Sequence, residues 1–280
     1  MSLPLSMLYL LSFSLAYGLA DMCWMMLGTR VPFFKSLVYR GVISVLVTFL
    51  FAMLLAPDKP LDFFDLLTAA GTGFLAVIAF LLFYKSLQQE ASGINAVVTK
   101  GLTSVVAVSL VMYLAKEINY KIILALAVLI IGLLFLNNDK EKQKGKVSIH
   151  AIGAGVLWGI AFVLFEKHVN EIGSFWFAFT LEFTLLVAVL AIYMFKKKEH
   201  SFRYTKYQLF MLLFIGLVTA AGSVLNTYAY NYFTPAVITI VAKFAVLPPF
   251  LYAIIILKQK LSWQKIVGVL IILLAIYLCL

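Results

Sequence analysis

Asn95-Ala-Val-Val-Thr-Lys100-Gly-Leu-Thr-Ser104 and Val237-Ile-Thr-Ile-Val-Ala-Lys243-Phe-Ala-Val246 decide how the chain is read. Each stretch lies in an apolar run of about twenty residues, long enough to cross a bilayer core of about 30 Å. Each run holds a single central lysine. A lysine at that depth costs about 2.5 to 3.5 kcal/mol on insertion scales, so its presence needs a reason. Lys100 stands 17 residues before Glu117, and Lys243 stands 17 residues before Lys260. The equal spacing reads as one site built twice.

Composition supports the membrane reading. The 280 residues are 64% hydrophobic and only 12% charged, and mean hydropathy is +1.05. These values lie outside the soluble range and define an integral membrane protein. A net charge of +10 would point to nucleic acid in a soluble protein. Here the lysines cluster in short breaks between apolar runs, so orientation in the bilayer accounts for them and no nucleic-acid partner is expected. The first apolar run lacks a basic leader and a small-residue cleavage site, and is read as a permanent helix. Cys23 and Cys279 both fall in apolar runs and give no disulfide framework or metal site. His150, His168 and His200 stand singly at membrane edges, without metal spacing. No phosphate-binding glycine loop is present, so ATP is not the direct energy source. No Ser/His/Asp grouping points to a hydrolase. An enzyme and a cofactor are therefore not expected. The expected partners are a small-molecule substrate, the lipid bilayer, and a coupling ion or exchanged metabolite.

Ten apolar runs follow one another at 4–28, 35–56, 64–86, 94–115, 121–137, 149–168, 175–195, 206–231, 236–257 and 264–280. Their length and near-continuous apolarity favour helices over barrel strands. The polar stretch Asn137-Asn-Asp-Lys-Glu-Lys-Gln-Lys-Gly-Lys146 divides them into five and five. Residues 1–137 form a first five-helix repeat, 138–147 a polar linker, and 148–280 a second repeat. Tyr17-Gly18 matches Trp158-Gly159, and Tyr84 matches Tyr228. A constant shift of 143 matches Lys100 to Lys243, Asn119-Tyr120 to Ser262-Trp263, and Ala125 with Gly132 to Gly268 with Ala275. An odd helix count per half inverts one half relative to the other. The expected fold class is an all-α membrane protein of ten transmembrane helices in two inverted five-helix repeats.

Trp158-Gly159, Tyr39-Arg40-Gly41 early in the second helix, and Lys116-Glu117-Ile118-Asn119 between the fourth and fifth resemble the EamA-type pattern of the drug/metabolite transporter superfamily. The resemblance covers nearly the whole chain. The ninth helix, with its central lysine and the following Trp263-Gln-Lys-Ile-Val-Gly268, also looks like the branch of nucleotide-sugar and triose-phosphate translocators. Two departures stand out: Glu182 falls where the second half would repeat the arginine, and Lys260 replaces the acid that Glu117 supplies in the first. The resemblance implies a multi-pass transporter of the cell membrane with both termini in the cytoplasm. The charge pattern implies the opposite orientation, because basic residues concentrate in the connections after helices 1, 3, 5, 7 and 9.

The candidate substrate-binding residues are Lys100, Lys243, Arg40, Glu182, Thr103, Ser104, Thr239, Tyr84, Tyr228 and Trp158. Helical spacing puts Lys100 on one face with Ala96, Thr103, Ser104 and Ala107, and Lys243 with Ala236, Thr239 and Leu247. Those small and polar faces suit a wet cavity or close helix packing. Arg40 and Glu182 occupy corresponding places and either pair, orient substrate or gate. Pro248 and Pro249 remove two backbone donors just after Lys243 and are the candidate hinge. Gly155-Val-Leu-Trp-Gly159 reads as close helix packing. Tyr17, Tyr230 and Asn226 are further lining candidates. The expected function is secondary transport of a small polar metabolite, anionic or zwitterionic, by alternating access. The alternatives are proton-coupled export of cationic or aromatic compounds, and a membrane protein that handles lipid phosphate.

Overall fold

The computed structural model describes residues 3–56, 61–88, 92–136, 147–258 and 262–280. The linker stretch 137–146 and Lys260 lie outside the described residues. The described chain contains helices and no strand. In chain order these are α1 (Leu3–Leu27), α2 (Phe33–Leu55), α3 (Phe63–Leu87), α4 (Ser92–Ala115), α5 (Tyr120–Leu136), α6 (Ile149–Ile172), α7 (Ser174–Met194), α8 (Lys206–Ala229), α9 (Pro235–Ile255) and α10 (Trp263–Cys279), with a short turn of helix at Lys197–His200. Among the described residues, eight of them are long and apolar enough to cross a membrane. The other two, α5 and α10, have 17 residues each, about 25 Å at 1.5 Å per residue. Large apolar side chains stand exposed along the helices, among them Leu54, Phe64, Leu134 and Tyr277. In water such a surface would aggregate; against lipid it is the solvated one.

Local sequence sets the helix ends. The α1 helix gives way at Gly28, whose φ of +58° only glycine adopts without strain. A second positive φ, +82° at Gly173, turns α6 directly into α7. Thr205 and Gln208 close a reciprocal capping box on α8. Asn119 accepts the Ile122 amide at the start of α5, at 3.2 Å. Ser262 accepts the Lys265 amide at the start of α10, at 3.4 Å.

The helices form two compact units, and each unit draws on both ends of the sequence. The first comprises Met1–Phe74, Lys167–Tyr232 and Ala245–Ala253; the second comprises Leu75–Glu166, Phe233–Phe244 and Ile254–Leu280. In the first unit α1 packs on α8, and α2 packs on α7 and α8. Its core joins Ala20, Cys23, Leu27, Val31, Met211, Leu212 and Ile215. In the second unit α5 lies along α10, and α4 packs on α5 and on the first part of α9. The α5–α10 seam closes to backbone contact: a Cβ on Gly268 would stand 2.9 Å from the Gly132 carbonyl oxygen. In the same unit α3 meets α6 where Phe83 lies against Trp158, ring centroids 5.3 Å apart.

The winding of α9 changes along its length. Pro235–Val241 is α-helical, Ala242–Val246 is a 3-10 segment, and Leu247–Ile255 is α-helical again. Pro248 and Pro249 have no N–H to give to the carbonyls of Phe244 and Ala245. The ladder loses those two bonds, and the backbone before the prolines tightens to the narrower winding.

One histidine differs from its sequence reading. His168 is not solitary: it is 3% exposed, with Nε2 2.8 Å from the Thr72 hydroxyl and Nδ1 2.9 Å from Glu171. Glu171, one turn further along α6, also pairs with Lys167 at 3.5 Å. A histidine inside an apolar helix end must satisfy both ring nitrogens, and the partners come from α3 and from its own helix.

Candidate functional site

The candidate residues fall into two groups, one in each unit. In the second unit Lys100 on α4 and Lys243 in the 3-10 part of α9 are both half-buried. Each lies one turn from the place where α4 packs on the first part of α9. Neither forms an ion pair among the described residues. Ser104 ties the two helices together, its hydroxyl donating to the Thr239 carbonyl at 3.3 Å. Thr103 donates to the Thr99 carbonyl at 2.8 Å, and Thr239 to the Ala236 carbonyl at 3.0 Å. All three hydroxyl hydrogens are therefore committed to backbone, and the hydroxyls keep only their acceptor lone pairs. The lysine ammonium groups are the donors this group offers. Trp158 is half-buried against Phe83, and Tyr84 is half-buried on α3 beside it.

In the first unit Arg40 on α2 and Glu182 on α7 are 8% and 5% exposed. They face each other twice, with Nη1 3.0 Å from Oε2 and Nη2 3.4 Å from Oε1. This geometry is an ion pair with one hydrogen bond, Nη2 to Oε1, while Nη1 and Oε2 meet without hydrogen-bond geometry. Around it, Tyr17 on α1 has its ring edge against Gly222 of α8, next to Ser223. One turn along α8, the buried Asn226 Oδ1 has no hydrogen-bond partner among the described residues. Ser223 was absent from the sequence reading. The signal was there, because it precedes Asn226 by three residues and shares its helix face. Tyr228 sits apart from this pair in an aromatic group, its ring 5.3 Å from Tyr9 and 5.9 Å from Phe175, and its hydroxyl 3.1 Å from that of Tyr232.

The break in α9 meets a glycine. A Cβ on Gly18 of α1 would lie 2.5 Å from the Ala245 carbonyl oxygen and 2.7 Å from Pro248 Cδ. In the other unit a Cβ on Gly159 of α6 would lie 2.9 Å from the Thr103 carbonyl oxygen and 2.6 Å from Val106 Cβ. Glycine is needed at both, since a side chain would push the helices apart. The two contacts are alike in kind: each glycine meets a carbonyl oxygen and a side chain three residues further on, at 245 and 248 and at 103 and 106, one residue out of register with the shift of 143 that matches the lysines.

The fold is similar to that of a protein of known crystal structure, with a TM-score of 0.79 at 13% identity over 99% of this chain and 96% of the other. No curated protein matches the sequence. Residues 146–280 match the EamA-like transporter family. Apolar helices of membrane-crossing length, the marks in α2, in the α4–α5 connection and in α6, and this match agree, and through residues 146–280 the chain is placed with the EamA-like transporters of the drug/metabolite transporter superfamily.

Proposed function

We propose that the protein is a secondary active transporter of a small polar metabolite that is anionic or zwitterionic, working by alternating access. The observation that carries this reading is the pair of half-buried lysines, Lys100 and Lys243, on the packed helices α4 and α9 joined by Ser104 and Thr239, without a carboxylate partner among the described residues. Two ammonium groups held together repel, and an anion between them removes the repulsion. Lysine offers a point charge with three donors, suited to carboxylate or phosphate without a fixed planar geometry. The neighbouring hydroxyls leave acceptor sites that suit the ammonium of a zwitterion.

Ten spans in two inverted repeats are part of the same reading. Three correspondences support it: the matched contacts of Gly18 and Gly159, the caps Asn119 and Ser262 on α5 and α10, and the lysines on α4 and α9. Inverted repeats with a site at mid-depth are a recurring transporter design. The Pro248-Pro249 break next to Lys243 supplies a hinge in this scheme. Export of cations finds less support, because Glu182 is already neutralised by Arg40.

A panel of small ligands sorted by charge, scored by thermal stabilisation of the purified protein, tests the substrate class. Anions and zwitterions stabilise, and cations do not. Uptake of the stabilising ligand into proteoliposomes then falls at least tenfold in Lys100→Met and in Lys243→Met. If both variants fold and transport with unchanged affinity, the lysines are structural and the anion assignment is wrong.

A further inference from the structure

The connection between α7 and α8 carries a feature that transport does not use. It holds Lys196, Lys197, Lys198, Arg203 and Lys206, all exposed. Between residues 196 and 206 the only acidic residue is Glu199. Its carboxylate does not neutralise them. It turns to the start of α2 and accepts the Lys35 backbone N–H at 2.8 Å, where a helix N-terminus favours negative charge.

The segment is held in one shape by a reciprocal clasp. While Glu199 caps α2, the Lys35 ammonium donates to the carbonyls of His200 at 2.9 Å and Phe202 at 2.8 Å. The same ammonium stands 5.7 Å from the Tyr204 ring centroid. Tyr204 in turn meets the Ser36 hydroxyl at 3.0 Å. Burial pushes the Tyr204 hydroxyl up to about 12, so it keeps its proton at every physiological pH. Lys196 lies over the Phe34 ring at 5.3 Å. Basic groups fixed by a backbone clasp lose less entropy on binding an anion than the same groups on a loose loop.

Beside these charges stand large exposed apolar side chains: Met194 at 67%, Phe195 at 87% and Phe210 at 63%. They belong to the last turn of α7, the residue after it and the first turns of α8. Fixed cations bordered by outward apolar residues at a membrane edge match a molecule with an anionic head and an apolar tail. We propose that the α7–α8 connection is a binding site for the phosphate head group of an acidic phospholipid. Free phosphate would use the lysines and leave Phe195 and Phe210 without a role.

The test uses the purified full chain in nanodiscs of equal phosphatidylglycerol and phosphatidylcholine, with the lipid retained by the protein measured by native mass spectrometry. The wild-type protein retains phosphatidylglycerol preferentially. Retention falls by about fivefold for each charge removed at low ionic strength, measured in Lys196→Gln/Lys197→Gln/Lys198→Gln and separately in Arg203→Gln/Lys206→Gln. The triple arginine variant at 196–198 keeps the preference. Thermal unfolding in phosphatidylcholine alone stays at the wild-type value, since these side chains are exposed. Equal retention of both lipids by the wild type overturns the proposal, and so does an unchanged preference in both glutamine variants. Full displacement of the lipid by inorganic phosphate at matched ionic strength assigns the site to a free anion and also overturns it. None of these outcomes depends on the transported substrate.

Discussion

Arg40 with Glu182 and Lys100 with Lys243 show two ways of keeping charge inside apolar helices. The first pair are opposite in sign, 8% and 5% exposed, and in contact. The second are alike in sign, half-buried, and on packed helices, without an ion-pair partner among the described residues. The pair of opposite charges neutralises itself and joins α2 to α7, although Nη1 and Oε2 lack hydrogen-bond geometry. In the proposed function, the two like charges are completed by an anionic substrate. Charge in a membrane helix is thus not one signal. Sign, contact and burial together separate a structural group from one that waits for a ligand.

The sharpest test of that contrast is stability. Removing one member of the buried pair leaves the other unpaired, so Arg40→Met and Glu182→Leu are each expected to lose about 3 to 5 kcal/mol. The double variant recovers most of the loss, measured by thermal unfolding in detergent. Single variants that unfold at the wild-type temperature would break the distinction between strut and site. The glycine contacts come next. Gly18→Ala and Gly159→Ala each insert a Cβ where a carbonyl already stands, and each is expected to lose about 1 to 3 kcal/mol. Similar losses sharpen the correspondence between the two units, and a loss confined to one weakens it. Ser104→Ala removes one hydrogen bond between α4 and α9 and is expected to lose about 1 kcal/mol. Smallest is the effect of Lys100→Met or Lys243→Met on unfolding, which is expected to be neutral or slightly stabilising even as anion transport is lost. A large destabilisation there would put the lysines with the struts.

Much of this was legible in the sequence. The spans follow from runs of apolar residues, and expected and observed helix ends mostly agree within a few positions. The exception is α6, read as ending at 168 and continuing to Ile172. Asn170 and Glu171 fall beyond the apolar run, but Glu171 is paired within the helix, with His168 and Lys167. Pairing of Arg40 with Glu182 was one of three roles the sequence left open, because helix neighbours across 142 residues leave no local pattern to choose among them. The hydroxyls of Thr103, Ser104 and Thr239 looked like free donors on a lysine face. Each turns to a carbonyl instead, since in an apolar helix the nearest acceptor is the backbone itself. Nor did sequence reveal the clasp of Lys35 with Glu199, which joins the start of α2 to the α7–α8 connection far along the chain.

The 3-10 stretch in α9 makes the two lysines unequal in time as well as in place. Lys100 rides on an uninterrupted α-helix, whereas Lys243 lies in Ala242–Val246, where the hydrogen bonds are of the poorer 3-10 kind. Backbone amides around Lys243 should therefore take up deuterium from solvent sooner than those around Lys100, so that one side of the lysine pair would open and close on a faster clock than the other.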